Sequence, residues 1–395
     1  MPVVIRVVAD RAIPYIEQLC GSWCELSLLP AAKIHREALQ HADALLVRSV
    51  NRVDHELLSA SKIKFVGSAT AGFDHIAMQD MQALGISVAC APACNANAVV
   101  DYVLAALFHL HEPAQLLQQK VAVFGYGNVG KRLVAILDRL GVHTLVYDPL
   151  LNLNATQLPA TASVVHSKQA LLGCDVLSLH VPLTRNGEHA TYHLLGEAEL
   201  TQLGANAMLI NSSRGAVVDN AALQKKIANG WTGYAVLDVW EGEPVADPEL
   251  VTQVSLATPH IAGYSLPAKM RASHTIVAAM LACLVDVHEQ RATALQTLGT
   301  QLAKKVHTVV STQGAVTVNA LANSLQALFP IQSLSQAFKQ QYAQAGKDRA
   351  KFFADYREAY VLRDEHDYSA LLKSEAGASG AAVAQAMPNH TGLAK

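Results

Sequence analysis

Short apolar runs alternate with longer apolar or amphipathic stretches through the first two thirds of the chain. Val3–Ala9, Ala44–Val47, Lys64–Ser68 and Ser87–Cys90 read as strands and Ala12–Cys20 as a helix, a small α/β unit. Asn97 to Leu110 reads as a long apolar helix leading out of that unit. Six further strands follow: Val121–Phe124, Thr144–Tyr147, Val176–His180, Ala207–Asn211, Tyr234–Asp238 and Ser255–Ala257. Strands interleaved with helices predict a doubly wound parallel sheet. An apolar helix from Leu266 to Gln290 could cross back to the first unit. The last hundred residues change character, being richer in Gln, Ala and Ser and free of strand–Gly–helix units. There, Lys351–Tyr368 would place Phe353, Tyr356 and Tyr360 on one helical face, a core or subunit contact. From Glu375 onward the residues are small and low in complexity, and a disordered tail is expected.

The run VAVFGYGNVGKRL at 121–133 joins a strand, a turn and a helix start. Gly125, Gly127 and Gly130 complete G-x-G-x-x-G, with Asn128 and Val129 between the last two. Such a turn lets a dinucleotide pyrophosphate approach the backbone, at a helix N-terminus whose N–H groups are unpaired. Asp148 lies 18 residues beyond Gly130, at the end of the next apolar run. A carboxylate there accepts from ribose hydroxyls and repels a 2′-phosphate, so the expected cofactor is NAD.

Composition narrows the class. The chain has 395 residues, long enough for two or three domains, with 51% apolar and 16% charged residues. A net charge of −2 offers no basic field for nucleic acid or an anionic membrane. No stretch has the length and purity of a membrane span, and the N-terminus reads as a strand rather than a signal peptide. Six cysteines in no paired Cys/His pattern predict free thiols, no metal site and a cytoplasmic protein.

Three loops after successive strands carry Arg214, Glu243 and His260. In a doubly wound sheet these strand ends converge on the ligand crevice. Oxidising an alcohol needs a base for the hydroxyl proton, and an imidazole suits it. A carboxylate beside such a ring fixes its tautomer and favours the protonated form. An arginine grips a substrate carboxylate through two parallel hydrogen bonds. Read singly, each residue could be structural: an ion-pair arginine, a turn glutamate, a satisfied loop histidine.

Several segments together resemble the NAD-dependent D-2-hydroxyacid dehydrogenase family across roughly residues 45–290. They are VRSVNRV at 47–53, SATAGFDHI at 68–76, CNANAVVDYV at 94–103, NSSRGAVVDNAAL at 211–223, LDVWEGEP at 237–244 and HIAGYS at 260–265. Within the family, Ala262, Gly263 and Tyr264 after the His-Ile pair resemble a branch acting on a phosphorylated acid. The resemblance implies a Rossmann NAD domain at 99–265 and a smaller flavodoxin-like α/β substrate domain at 1–98 and 266–290. It also implies an α+β dimerisation region at 291–374, hence a homodimer, with 375–395 left as the tail. Arg214, Glu243 and His260 would be catalytic, with His260 the acid/base. Ser49, Thr70 and Tyr264 would touch substrate. NAD would meet the Gly125–Gly130 turn, Asp148, Val181, Ser212, Ser213, Arg214, Asp238 and Gly263. A phosphate needs a cation, for which Arg48 is the first candidate, with Arg52 and Lys269 behind it. Asp101 departs from the Glu common in the branch, the His109–Lys120 connection is short, and the last hundred residues match poorly. A phosphoglycerate or hydroxypyruvate type of the same family, and an NAD-sensing corepressor, are the alternatives.

Overall fold

The computed structural model describes residues 4–21, 23–152, 157–284 and 318–368. Two parallel sheets organise them. The first contains β1 (Arg6–Asp10), β2 (Glu25–Leu29), β3 (Ala44–Val47), β4 (Phe65–Ser68) and β5 (Ser87–Ala89), in the order β2-β1-β3-β4-β5. This is the flavodoxin-like order, with its reversal of winding between β1 and β3. The second contains β6 (Val121–Phe124), β7 (Thr144–Tyr147), β8 (Ala162–Val164), β9 (Val176–Leu179), β10 (Met208–Asn211), β11 (Tyr234–Leu237) and β12 (Leu256–Ala257). Its order is β12-β11-β10-β9-β6-β7-β8, reversing between β6 and β9. Buried on both faces, the inner strands read as unbroken apolar runs, and the expected strands fall within a residue or so of the observed ones, apart from the first. β2 and β8 are additions at the sheet edges, where half-exposed residues dilute the apolar signal.

The helix expected from Ala12 begins only at Ile16. Asp10 Oδ1 accepts the Ala12 N–H at 2.9 Å, and Tyr15 takes a left-handed φ of 59°, so the chain turns before it winds. Helix Ala96–Leu110 is buried almost throughout between the units. Helix Leu266–Leu284 does cross back: Ile276, Val277, Met280 and Leu281 pack with Val7, Leu46 and Phe65 of the first sheet. The rest of its expected span, to residue 290, lies outside the described residues.

The described part of the C-terminal region is helical rather than α+β: Val318–Leu328, Ile331–Gln344 and Arg349–Ala359. Its apolar side is filled within the chain. Leu321, Leu325 and Phe329 join a core with Tyr102 and Val123, while Phe338, Tyr342 and Phe353 join another with Leu237 and Trp240. Each such large side chain contributes about 1.5–3 kcal/mol of burial, enough to fasten this region to the second sheet. Phe353 and Tyr356 share a face against Phe338, with ring centroids 6.0 and 5.7 Å away. Tyr360 departs from the expected stripe because the helix ends at Ala359 and Tyr360 is extended. Residues beyond it reach the start of the helix that crosses back to the first unit, where Leu266 donates to the Arg363 carbonyl at 2.8 Å. Buried Asp101 accepts from Arg363 Nη1 at 3.2 Å, the His366 N–H at 3.0 Å and Tyr368 Oη at 2.5 Å. The departure at Asp101 thus anchors this strap. Residues 291–317 and 369–374 of the expected dimerisation region, and the 375–395 tail, lie outside the described residues. All six cysteines are free, three of them buried, and Cys283 is exposed. Among the described residues no helix is long and apolar enough to cross a membrane.

Candidate active site

The carboxyl ends of both sheets face a cavity of about 610 Å³, whose lining includes Ser49, Thr70, Arg214, Glu243, His260 and Tyr264. His260 sits just past β12 in a left-handed conformation, φ 58°. What holds it there is buried Asp238, after β11. Its Oδ1 accepts from Thr258 Oγ1 at 2.7 Å and the Ile261 N–H at 2.8 Å, its Oδ2 from the Ala262 N–H at 2.9 Å. The Asp238 carbonyl takes the His260 N–H at 2.6 Å. Burial pushes the Asp238 carboxyl above the usual range, and these donors oppose that shift. Asp238, expected among the cofactor contacts, lines the cavity while both of its carboxylate oxygens hold the His260 loop.

His260 Nδ1 lies 2.7 Å from Glu243 Oε2. Glu243 Oε1 accepts the Trp240 N–H at 3.0 Å. Burial disfavours the Glu243 charge, but His260, its hydrogen bond, the Trp240 N–H and Arg357 outweigh it and hold the carboxyl below its ordinary value. An ionised carboxylate only accepts, so Nδ1 carries a proton, and in the neutral ring this pairing leaves the lone pair on Nε2.

Arg214 follows β10, with Nη1 donating to the Ser213 carbonyl at 2.8 Å. Nε and Nη2 both reach Asp74 Oδ2 of the first unit, at 3.1 and 2.7 Å. A substrate carboxylate on Arg214 must therefore displace an exposed aspartate. Asp74 was within reach of sequence reading, as it belongs to the SATAGFDHI segment, but no local signal pairs it with an arginine 140 positions away.

The substrate candidates divide. Ser49 is exposed on the cavity wall. Thr70 Oγ1 donates to the Gly72 carbonyl at 2.8 Å and lies 2.6 Å from Ser68 Oγ, so it shapes its loop. Tyr264 Oη accepts from Arg357 Nη2 at 2.8 Å, and Lys269 Nζ stands 3.8 Å from the Tyr264 ring centroid. Arg48 does not line the cavity: its Nε is bonded to the fully buried Asp10 at 2.7 Å. Arg52 pairs with Asp54 at the surface. Arg357, carried by the last described helix, was missed in the sequence.

The glycine turn follows β6, beside the cavity rather than in its lining. Gly125 has φ 95°, and a Cβ there would lie 2.4 Å from the His180 carbonyl oxygen. A Cβ on Gly130 would lie 2.0 Å from the Gly125 oxygen, whereas Gly127 faces open space. Exposed Asn128 and half-buried Val129 lead into helix Gly130–Arg139, and buried Val181 packs beside Gly125. Asp148 Oδ2 accepts the Tyr126 N–H and Oδ1 the Leu150 N–H, both at 2.9 Å, which turns this carboxylate toward the glycine turn. Ser213 Oγ is bonded to Asn211 at 2.8 Å. Ser212 Oγ is buried without a hydrogen-bond partner among the described residues, and Ser212 and Gly263 both line the cavity. An open turn, a carboxylate next to it and an orphan hydroxyl fit a dinucleotide.

Residues 106–262 match the family described as the D-isomer specific 2-hydroxyacid dehydrogenase, NAD binding domain. Erythronate-4-phosphate dehydrogenase of Pseudomonas putida (strain W619) is 44% identical over 276 residues, 69% of this chain and 71% of that one. This chain belongs to the erythronate-4-phosphate dehydrogenase family. The counterpart from Azotobacter vinelandii is 45% identical over 269 residues, 68% of this chain and 70% of that one. The fold is shared with D-lactate dehydrogenase from Aquifex aeolicus, solved with NAD and lactic acid, at a TM-score of 0.60 and 23% identity, over 75% of this chain and 98% of that one. The family's NAD-dependent chemistry thus meets the glycine turn and the His260–Glu243 pair in one chain.

Proposed function

We propose that this dehydrogenase oxidises 4-phospho-D-erythronate at C2 to (R)-3-hydroxy-2-oxo-4-phosphooxybutanoate, using NAD, in pyridoxine 5′-phosphate (vitamin B6) synthesis. The observation that carries the reading is the 2.7 Å His260–Glu243 pair, opening on the cavity that Arg214 also lines. When bound, NAD+ supplies the two-electron acceptor for this oxidation. His260 Nε2 takes the C2 hydroxyl proton, and Glu243 stabilises the imidazolium so formed through Nδ1. Arg214, released from Asp74, grips the substrate carboxylate and polarises the carbonyl forming next to it. Ser49 and Tyr264 bound the remaining polar length of the substrate.

The domain division at 1–98 with 266–290, 99–265 and 291–374 belongs to this reading, as do a cytoplasmic location and a homodimer. The homodimer rests on the family resemblance, and sedimentation of the full chain tests it. The deciding experiment incubates purified protein with 4-phosphoerythronate, NAD+ and a 2-keto acid and follows product. His260→Ala should lose roughly a hundred- to ten-thousandfold in turnover while NAD still binds. Near-normal turnover in that variant would remove His260 from the mechanism.

A further inference from the structure

We propose that Arg357 and Lys269, with the Tyr264 hydroxyl, form the subsite for the substrate's phosphate, so that the C-terminal helix completes the cleft. The inference rests on the substrate being a phosphorylated 2-hydroxy acid. A phosphate dianion taken from water must be met by cations and donors. Two of the arginines at this end are committed elsewhere, Arg214 to Asp74 and Arg48 to Asp10. Arg357 and Lys269 both line the cavity, and neither has a carboxylate within salt-bridge distance among the described residues.

Arg357 is incompletely used. Its Nη2 donates to Tyr264 Oη at 2.8 Å, and its Nε is buried with no hydrogen-bond partner among the described residues. A buried unpaired N–H is costly unless something arrives to accept it. Since Tyr264 Oη accepts from Arg357, its own proton is free to donate into the cavity. Lys269 Nζ lies over the same ring at 3.8 Å, with Arg48 close enough to add to the crowding of positive charge. Burial, then Arg48 and Arg357, press the Lys269 ammonium below its ordinary value, whereas Tyr264 opposes this. Gathering like charges in a partly desolvated corner is unfavourable until an anion enters, and a dianion adds an attraction to each cation that outweighs their mutual repulsion. The planar guanidinium matches two phosphate oxygens at once.

The helix is held to place this group. Phe353 is buried against Phe338, and Arg357, one turn later, lies on the same side with its guanidinium carbon 6.0 Å from the Phe353 ring centroid. The aromatic face that fastens the C-terminal region to the second sheet therefore also aims a cation at Tyr264.

The test compares 4-phosphoerythronate with unphosphorylated D-erythronate in wild type, Arg357→Met, Arg357→Lys and Lys269→Met. Inorganic phosphate serves as a competitive inhibitor at saturating NAD+. Melting temperature and NAD affinity confirm folding in each variant, and the two sites lie on separate helices, so misfolding of one leaves the other informative. Removing either cation should raise KM for the phosphorylated substrate roughly 10- to 100-fold and weaken inhibition by phosphate in parallel, with Arg357→Lys recovering part. Retention of the wild-type preference for the phosphorylated acid in folded variants would overturn the subsite alone, as would equal losses on both substrates. A wild-type enzyme without that preference would overturn the substrate reading and the subsite with it.

Discussion

The two sheets of this molecule share one topological device and use it in opposite ways. Each reverses its winding once, between β1 and β3 in the five-stranded sheet and between β6 and β9 in the seven-stranded one. Such a reversal opens a crevice at the carboxyl ends of the flanking strands. In the larger sheet the crevice is kept open by Gly125, with His180 just past β9 on the other side. In the smaller sheet it is plugged: Asp10 at the end of β1 and Arg48 just after β3 meet at 2.7 Å. Topology offers a site at both places, and side-chain chemistry decides which one holds a ligand. The smaller sheet contributes Ser49, Thr70 and Asp74 to the cavity, whereas the larger supplies the His260–Glu243 pair.

Closing the open crevice should have the larger effect. Gly125→Ala places a methyl 2.4 Å from the His180 oxygen at φ 95°, so the strand ends must part or the turn must rebuild. About 2–4 kcal/mol of stability should be lost in denaturant titration, with NAD affinity weakened tenfold or more. Gly141→Ala is the control, because φ there is 77° but nothing lies within 4 Å. It should cost about 1 kcal/mol and leave NAD binding alone. Equal effects of the two substitutions would break the comparison, since backbone conformation rather than the crevice would then explain both.

The same contrast explains how much the sequence disclosed. Strands at the sheet centres, such as Met208–Asn211 and Tyr234–Leu237, are buried on both faces and announce themselves as apolar runs. Arg214, Glu243 and His260 lie just beyond such runs, so their convergence follows from topology. Asp238 lies at the same kind of strand end, yet its work on the His260 loop depends on hydrogen bonds that its position does not reveal. Asp10 and Arg48 are 38 residues apart, and nothing local says that one carboxylate is waiting for the other. Arg357 is harder still. Its place depends on Phe338, Tyr342 and Phe353 filling the outside of the larger sheet, and an aromatic stripe does not say which surface it will cover.

Breaking the plug comes next in size. Arg48→Met leaves Asp10 fully buried without its cation, with the Ala12 N–H still donating to it. Unpairing a buried charge typically costs 3–5 kcal/mol; because the arginine is 23% exposed, about 2–3 kcal/mol is expected in denaturant titration. KM for the phosphorylated substrate should change by less than about threefold, which separates Arg48 from the Arg357 and Lys269 variants. A large KM increase with unchanged stability would return Arg48 to the substrate and show the smaller crevice to be a ligand site after all.

The smallest expected effect reads the wall of the open crevice through pH. Burial pushes the His180 ring down to about 4, while its Nε2 stays within 2.9 Å of Ser178 Oγ. In the unfolded chain the ring takes a proton below about 6.5, whereas in the folded protein it does not until about 4. Across that window the unfolded state binds more protons, so stability falls as pH drops from about 6.5 toward 4. His75, at the carboxyl end of the smaller sheet, is also lowered by burial, with Arg214 adding to the shift and Asp74 opposing it, so the wild-type slope contains more than one ring. The difference between wild type and His180→Gln isolates one of them: the variant keeps a partner for Ser178 and should lose part of the slope. Identical pH profiles would mean that water reaches the His180 ring, and that the crevice beside Gly125 is open on a side where the packing closes it.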